Sequence, residues 1–276
     1  MKKWLGALFI VLAAVLSACG TEGGNGAAQK SETALKIGAS NIPHAIILEK
    51  AKPILKKQGI DLEIIKYQDY IIPNQALESD DLDANYFQHI PYLEGQIKDH
   101  GYDFVSAGGV HIEPIGVYSQ KYKSLEELPE GAEILLSSSV ADHGRILMML
   151  EEKGLIKLKD GVDKTNAHIE DIAENSKKLK FEYEYEASFL PTVYKNGEGD
   201  AVLINSNYAI DVGLNPLKDS IALEEKEASP YVNVVAVKKG NENNKAVKKL
   251  MEVLHSKEIQ DFILKEWKGS VVPVSN

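Results

Sequence analysis

The sequence predicts an α/β fold of two lobes joined by two crossovers. Three observations predict it. Short runs rich in Ile and Val alternate with segments whose apolar residues recur at three- and four-residue spacing, the rhythm of strands and helices in turn. That rhythm runs from residue 35 to 101 and restarts at 132. Two long extended segments, 110–119 and 230–239, lead from the first run to the second and back again.

Taken in order, "LKIGAS" (35–40) reads as a strand and "HAIILEKAKPILKKQG" (44–59) as a helix ending at Gly59. "IDLEIIKY" (60–67) is a strand, "NQALESDDL" (74–82) a short helix and "DANYF" (83–87) a third strand. "IPYLEGQIKDHG" (90–101) is a helix closed by Gly101. The second run repeats the pattern. Its strands are "AEILLS" (132–137), "LKFEYEY" (179–185) and "DAVLIN" (200–205). Its helices are "DHGRILMMLEEKG" (142–154), "ASFLPTVYKNG" (187–197) and "SNYAIDVG" (206–213). Two helical pieces, 245–255 and 256–267, end the chain. Strands joined by helices predict mainly parallel sheets. The second crossover returns the C-terminal helices to the first lobe, so lobe one is 34–114 plus 235–276 and lobe two is 115–234. A ligand cleft is then expected between them, fed by strand C-termini and helix N-termini.

The N-terminus has a different character. Met1-Lys2-Lys3 is positive, residues 4–16 are apolar, and small residues precede Cys19, the only cysteine in 276 residues. This is the layout of a secretory signal, residues 1–18, and the apolar run is too short to span a bilayer comfortably. One cysteine cannot form an internal disulfide. Leu16-Ser17-Ala18-Cys19 resembles the lipobox of bacterial lipoproteins, which implies a diacylglycerol carried on the Cys19 thioether and anchorage on the extracytoplasmic face of the membrane. Residues 19–33 then read as the lipidated cysteine and a polar, Gly-rich tether.

Composition narrows the function. Lys and Arg number 31 against 41 Asp and Glu, a formal charge of −10, which disfavours nucleic acid as a partner. The GxSxG elbow, the GxxxxGK[ST] loop and a GxGxxG turn after a strand do not occur, so the familiar routes to acyl transfer, phosphoryl transfer and dinucleotide chemistry are not signalled, and a cofactor is not expected. The seven histidines form no HxH or HxxxH pair. A metal site would have to be assembled from distant residues, for example His44, His89, His111 and Glu113, each near a predicted strand end.

Five stretches carry binding chemistry instead. "DYIIPNQA" sets Tyr70, Ile71 and Ile72 in a turn where polar residues are usual, and this suggests a binding wall. "NYFQHIPYLEG" is aromatic at a strand–helix junction, with His89 and Tyr92 three apart and therefore on one helical face. "SSSVADHGR" leads a strand into a helix with Asp142 as the N-cap and Arg145 in the first turn. Arginine opposes the positive end of the macrodipole there, so an anionic ligand group is expected beside it. "INSNYA" ends a strand with Asn205 and Asn207. "YVN" places Asn233 in an apolar extended run, where a buried amide without partners costs about 1–3 kcal/mol. The ammonium and carboxylate of a zwitterion would supply such partners.

The stretches "PHAIILE", "DYIIPNQAL", "LDANYFQHIPYLE", "VHIEPIGVYS", "GRILMMLEEKGLIKLKDG", "INSNYAIDVGLNPLKD" and "SPYVNVVAV" resemble the NlpA/MetQ lipoproteins, the methionine-binding components of bacterial ABC importers. The resemblance spans the chain from about residue 35. It implies a two-lobed, periplasmic-binding-protein-like (type II solute-binding) fold with two hinge crossovers. It implies no enzymatic activity, a methionine between the lobes, and delivery to a membrane permease with its ATPase. The family's ligand-binding pattern falls on Tyr70, His89, Tyr92, Arg145, Asn205 and Asn233. One stretch departs from it. Many relatives carry an N-D-x-x-N-x-G-R arrangement where this chain reads Ser137-Ser138-Ser139-Val140-Ala141-Asp142-His143-Gly144-Arg145. The ligand is therefore left open among L- and D-methionine, a methionine dipeptide and another apolar amino acid, with a metal ion as the alternative from a different class.

Overall fold

The computed structural model describes residues 33–225 and 229–274. The expected signal, Cys19 and all of the tether but Thr33 lie outside them. Strand β1 (Thr33–Ser40) leads through a wide turn at Asn41–Ala45 into α1 (Ile46–Lys57), then β2 (Ile60–Tyr67), α2 (Ile72–Glu78), β3 (Ala84–His89), α3 (Ile90–His100) and β4 (Phe104–Ile112). The chain then enters a second sheet. Its elements are β5 (Gly116–Tyr118), β6 (Glu133–Ser137), α4 (Val140–Glu152), the small antiparallel pair β7 (Ile156–Leu158) and β8 (Ile172–Asn175), and β9 (Lys180–Tyr185). They continue with α5 (Leu190–Lys195), β10 (Ala201–Ile204), α6 (Ser206–Asp211), α7 (Pro216–Asp219) and β11 (Ala222–Leu223). It ends with β12 (Val232–Lys238), α8 (Lys245–Leu254), α9 (Lys257–Trp267) and β13 (Val272–Pro273).

The first sheet has the order β13-β4-β12-β3-β1-β2 and the second β11-β5-β10-β6-β9. The extended segment 110–119 is thus two strands in two sheets, broken at Glu113–Ile115. The return crossover delivers β12 to the middle of the first sheet. Both sheets are mixed, which corrects the expectation of mainly parallel pairing. β1 runs parallel to β2 and β3, and β6 parallel to β9 and β10. The crossover strands are what break the pattern. β12 lies antiparallel between β3 and β4, and β5 lies antiparallel against β10. A strand arriving from the other sheet needs no helical return, so its direction is not tied to the βα rhythm.

Local sequence explains the layers. In β1, Leu35, Ile37 and Ala39 are buried, and its last four residues are buried in succession, as in a strand covered on both faces. At the sheet edge, β2 alternates buried Ile60 and Leu62 with exposed Asp61 and Glu63, and charge there discourages pairing with other chains. Helix α1 turns Ile47, Leu48, Ala51 and Leu55 to the same core that receives Val247, Leu250 and Leu254 of α8. The second core joins Ile134 and Leu136 of β6 to Ile146, Leu147 and Leu150 of α4. Each such side chain contributes roughly 1.5–3 kcal/mol. The result aims the C-terminal ends of β3 and β10 and the N-terminal ends of α3, α4 and α6 at one space between the two sheets.

Candidate ligand-binding site

That space is a partly open pocket walled by residues of both sheets. Tyr70, His89, Tyr92, Arg145, Asn205 and Asn233, the six on which the family's ligand-binding pattern falls, all line it. Phe87, Gln88, His44, Glu113, Asp142, Ser206 and Asn207 complete the wall.

The aromatic side comes from the first sheet. Tyr70 follows β2, and its hydroxyl donates to Asn207 Oδ1 at 2.6 Å. Its carbonyl accepts from the Tyr92 hydroxyl at 2.9 Å. The Tyr70 ring packs 5.0 Å from Tyr208 and 6.0 Å from Phe87. Burial pushes the Tyr70 phenol well above its usual range, so it remains a donor. The expected three-residue wall shrinks to Tyr70 alone, because Ile71 and Ile72 are half exposed. They turn away because Asp69 Oδ1 accepts from both of their backbone N–H groups and so starts α2.

His89 and Tyr92 meet for a different reason than helical spacing. His89 is the last residue of β3 and the N-cap of α3, and its Nδ1 accepts from the Tyr92 backbone N–H at 3.1 Å. The cap leaves His89 Nε2 as the N–H, 3.5 Å from Asp142 Oδ1 on α4. Burial foremost lowers the His89 pKa, against the opposing pull of Asp142. Beneath them lies a closed amide network. Gln88 Nε2 donates to Asn74 Oδ1 and Asn85 Oδ1 at 2.9 and 2.8 Å, and Asn85 Nδ2 donates to Asn74 Oδ1 at 2.9 Å.

Helix α4 supplies the charge. Its N-cap is Ser139, not Asp142, so Asp142 is the third helical residue and Arg145 begins the second turn. This corrects the expected capping, and with it the argument that Arg145 strains against the macrodipole. Arg145 is buried and already paired. Its Nε donates to Glu224 Oε1 at 3.2 Å, Nη2 donates to Glu224 Oε2, and Nη2 donates to the Glu113 carbonyl at 2.8 Å. Tyr231 lies against the guanidinium at 4.6 Å. Nη1 is 3.9 Å from Asp142 Oδ1, beyond hydrogen-bond reach. Burial would lower the Arg145 pKa, but Glu224 outweighs it and keeps the group charged. For Asp142, burial would raise the pKa, but His89, Arg145 and Asn205 together hold it below the usual value. Gly144 has a local task. A Cβ there would sit 2.3 Å from the Thr165 carbonyl oxygen, so only glycine lets that turn close on α4 behind Arg145.

The two asparagines carry unspent capacity. Asn205, at the end of β10, donates Nδ2 to both Asp142 oxygens at 3.1 and 3.2 Å. Its Oδ1 is buried with no partner among the described residues. Asn233 sits in β12 between His89 of β3 and His111 of β4. Its Oδ1 faces His44 Nε2 at 3.0 Å.

Of the histidines weighed for a metal, His44 and His111 do gather with Glu113, one ligand atom from each within 4.8 Å of the others, while His89 lies with Asp142 instead. His111 Nε2 stands 2.6 Å from Glu113 Oε1, a hydrogen-bond distance, and His44 Nε2 stands 3.3 Å from the same oxygen.

Sequence reasoning missed three residues that matter here. Glu113 entered only as a metal ligand, although a buried carboxylate at the first crossover was a visible signal. Glu224 and Gln88 carried no local signal, because their partners are 79 and 14 residues away.

The comparisons agree with this architecture. The family model for NlpA lipoprotein matches residues 35–275. "Methionine-binding lipoprotein MetQ" of Bacillus subtilis (strain 168) is 48% identical over 277 residues, covering 100% of both chains. A pheromone cOB1 precursor/lipoprotein crystal structure from Enterococcus faecalis V583 is 58% identical, with TM-score 0.85 over 88% of this chain and 100% of that one. A nutrient binding protein from Burkholderia cenocepacia, solved bound to methionine, is 44% identical, with TM-score 0.81 over 87% of this chain and 99% of that one. With its whole folded length matched and a cavity walled by the residues that carried the resemblance, the chain belongs to the NlpA lipoprotein family.

Proposed function

We propose that this protein is a lipid-anchored receptor that captures methionine between its two lobes and passes it to the permease and ATPase of an ABC importer. The observation that carries the reading is the mismatch of hydrogen-bonding groups in the cavity. Asn205 Oδ1 is a buried acceptor without a donor. Two carboxylates, Glu113 and Asp142, face one guanidinium, which Glu224 already neutralises. A ligand that brings an ammonium corrects both. Its carboxylate has Arg145 Nη1, and its side chain has Tyr70, Phe87, His89 and Tyr92. Methionine fits this description, and the relative from Burkholderia cenocepacia was solved with methionine bound.

In this reading residues 1–18 are the signal, Cys19 carries the diacylglycerol, and residues 34–114 plus 235–276 close on 115–234 about the two crossovers. Attachment to the extracytoplasmic face rests on Cys19. No helix among the described residues is long and apolar enough to cross a membrane. L-methionine is the expected ligand, with D-methionine, a methionine dipeptide and another apolar amino acid as the alternatives to test against it.

Native mass spectrometry of protein purified from rich medium tests the reading. An added mass of one methionine supports it. A stoichiometric divalent metal would overturn it in favour of a metal receptor. Calorimetric titration of ligand-stripped protein with L- and D-methionine then fixes the stereochemical preference. Cys19→Ala should abolish acylation and leave the protein unprocessed or released from the membrane fraction. A mature variant that stays with the membrane at the original level would sink the anchor.

A further inference from the structure

Behind Glu113 and His44 of the cavity wall lie Tyr86 and His111, buried polar groups that the binding reading leaves unexplained. Tyr86 of β3 and His111 of β4 are both fully buried. The Tyr86 hydroxyl meets His111 Nδ1, and His111 Nε2 lies 2.6 Å from Glu113 Oε1. His44, at the turn before α1, brings Nε2 to 3.3 Å from the same oxygen and 3.0 Å from Asn233 Oδ1.

Proton positions follow from the partners. Glu113 Oε1 and Asn233 Oδ1 are both acceptors, so His44 Nε2 carries the hydrogen between them. His44 Nδ1, the nitrogen then without a hydrogen, is the one left with no partner among the described residues. Burial keeps the Tyr86 phenol far above its usual pKa, so Tyr86 is a donor. His111 Nδ1 must then accept, and Nε2 must carry the N–H that reaches Glu113. Every donor in the line points the same way, toward one carboxylate on the cavity wall.

We propose that Tyr86 and His111 are positioning residues: Tyr86 fixes the His111 tautomer, and His111 holds Glu113 as an oriented carboxylate for the ammonium of the ligand. The proposal rests on the methionine reading. It gives a reason for two fully buried polar side chains on the strands that flank β12, where apolar ones would pack as well. His44 does the same for Asn233, whose amide it turns so that Oδ1 faces inward and Nδ2 is left for the ligand.

The charged and titratable groups around Glu113 come from every neighbouring element. They are His44 before α1, Tyr70 after β2, Tyr86 and His89 of β3, His111 of β4, and Arg145 of α4, itself bound to Glu224. Burial is the largest influence on Glu113 and raises its pKa. A ligand ammonium needs the ionised form, so affinity should weaken as the pH falls through the raised value, and loss of a donor should move that fall to higher pH.

The test is calorimetric titration of the full chain in detergent with L-methionine from pH 5 to 8, for the wild type, Tyr86→Phe, His111→Leu and His111→Gln. Tyr86→Phe and His111→Leu should shift the acid fall upward by about one pH unit, seen as roughly tenfold weaker binding on the acid side. His111→Gln keeps an N–H near the position of Nε2 and should restore the wild-type profile. Profiles for Tyr86→Phe and His111→Leu that keep the wild-type shape, whatever their overall affinity, would overturn the relay while leaving methionine binding intact. If His111→Leu does not fold, Tyr86→Phe, which removes one oxygen, decides alone. A wild type that gives no heat with methionine at any pH would take down the binding reading and the relay together.

Discussion

Tyr70 and Asn207 join the two halves of the site by a single 2.6 Å hydrogen bond, from a loop of the first sheet to a helix of the second. Tyr208 repeats the connection, its hydroxyl donating to the Gln68 carbonyl at 3.2 Å. Both bonds bridge the two sheets, so in the proposed hinge reading they must break before the ligand can leave, and they should slow its escape.

Tyr70→Phe removes one of them and leaves the ring stack. A net hydrogen bond is worth about 0.5–1.5 kcal/mol, so methionine should dissociate roughly 3–10 times faster, with association little changed. Stopped-flow fluorescence separates the two rates. A dissociation rate equal to wild type would show that the bond does not report on closure.

Arg145 and Glu224 form a buried pair, with each side chain almost wholly covered. Removing one partner strands the other, which typically costs 3–5 kcal/mol. Arg145→Ala should therefore lower stability as well as methionine affinity. Glu224→Gln keeps the shape but removes the counter-charge. Denaturant unfolding should place it between wild type and Arg145→Ala. Wild-type stability in Arg145→Ala would mean that the guanidinium is not buried against Glu224.

How much of this was legible beforehand differs by scale. The two βα runs and the crossovers could be read because periodicity and strand ends are local properties. The six cavity residues came together through the motifs of the family resemblance, since the helical-face argument for His89 and Tyr92 and the macrodipole argument for Arg145 did not hold. The antiparallel placement of β12 could not, because the direction of a crossover strand depends on where the other sheet ends. The role of Asp142 was misread by three residues: Ser139 begins the helix, and no local pattern distinguishes it from Ser137 or Ser138. Glu224 was invisible because a lone glutamate in "ALEEKE" has no feature that names an arginine 79 residues earlier. The relay of Tyr86, His111 and Glu113 was half legible. His111 and Glu113 stood out only as metal candidates and Tyr86 only within an aromatic stretch, and only the register of β3 and β4 across β12 brings them together.

The buried histidines set the pH dependence of folding. His44 is lowered to about 4 and His111 to about 3, both chiefly by burial. Below pH 6.5 the unfolded chain protonates these two groups and the folded chain does not, so stability falls as the pH falls, by about 1.4 kcal/mol per unit for each proton of difference. Glu113 acts with the opposite sign, because its raised pKa lets the folded state hold a proton that the unfolded state has lost. His89, also lowered chiefly by burial, adds to the histidine side, so stability should drop as the pH falls below 6.5. His111→Gln should flatten the slope relative to wild type. Equal slopes in urea titrations at several pH values would refute the assignment.

The choice of methionine over leucine should lie on the aromatic wall rather than in the polar contacts. Burying either side chain is worth about 1.5–3 kcal/mol, so an apolar pocket alone separates them poorly. A thioether beside rings gains a further 0.3–1.5 kcal/mol or so. Tyr92 is placed for that contact: its ring stands 6.0 Å from Tyr70 and Phe87 and 6.2 Å from His89, and its hydroxyl is tied to the Tyr70 carbonyl. In the proposed reading Asn205 and Asn233 meet the groups that all amino acids share. Asn205→Ala and Asn233→Ala should weaken methionine and leucine by the same factor, about tenfold for a lost hydrogen bond to a charged group. Tyr92→Ala should weaken methionine more than leucine and cut the preference by roughly 3–10-fold. Calorimetric titration of the three variants with both amino acids decides. A Tyr92→Ala variant that loses both ligands equally would move the source of discrimination elsewhere on the wall, and an Asn233→Ala variant with wild-type affinity would place the ammonium and carboxylate outside this cavity.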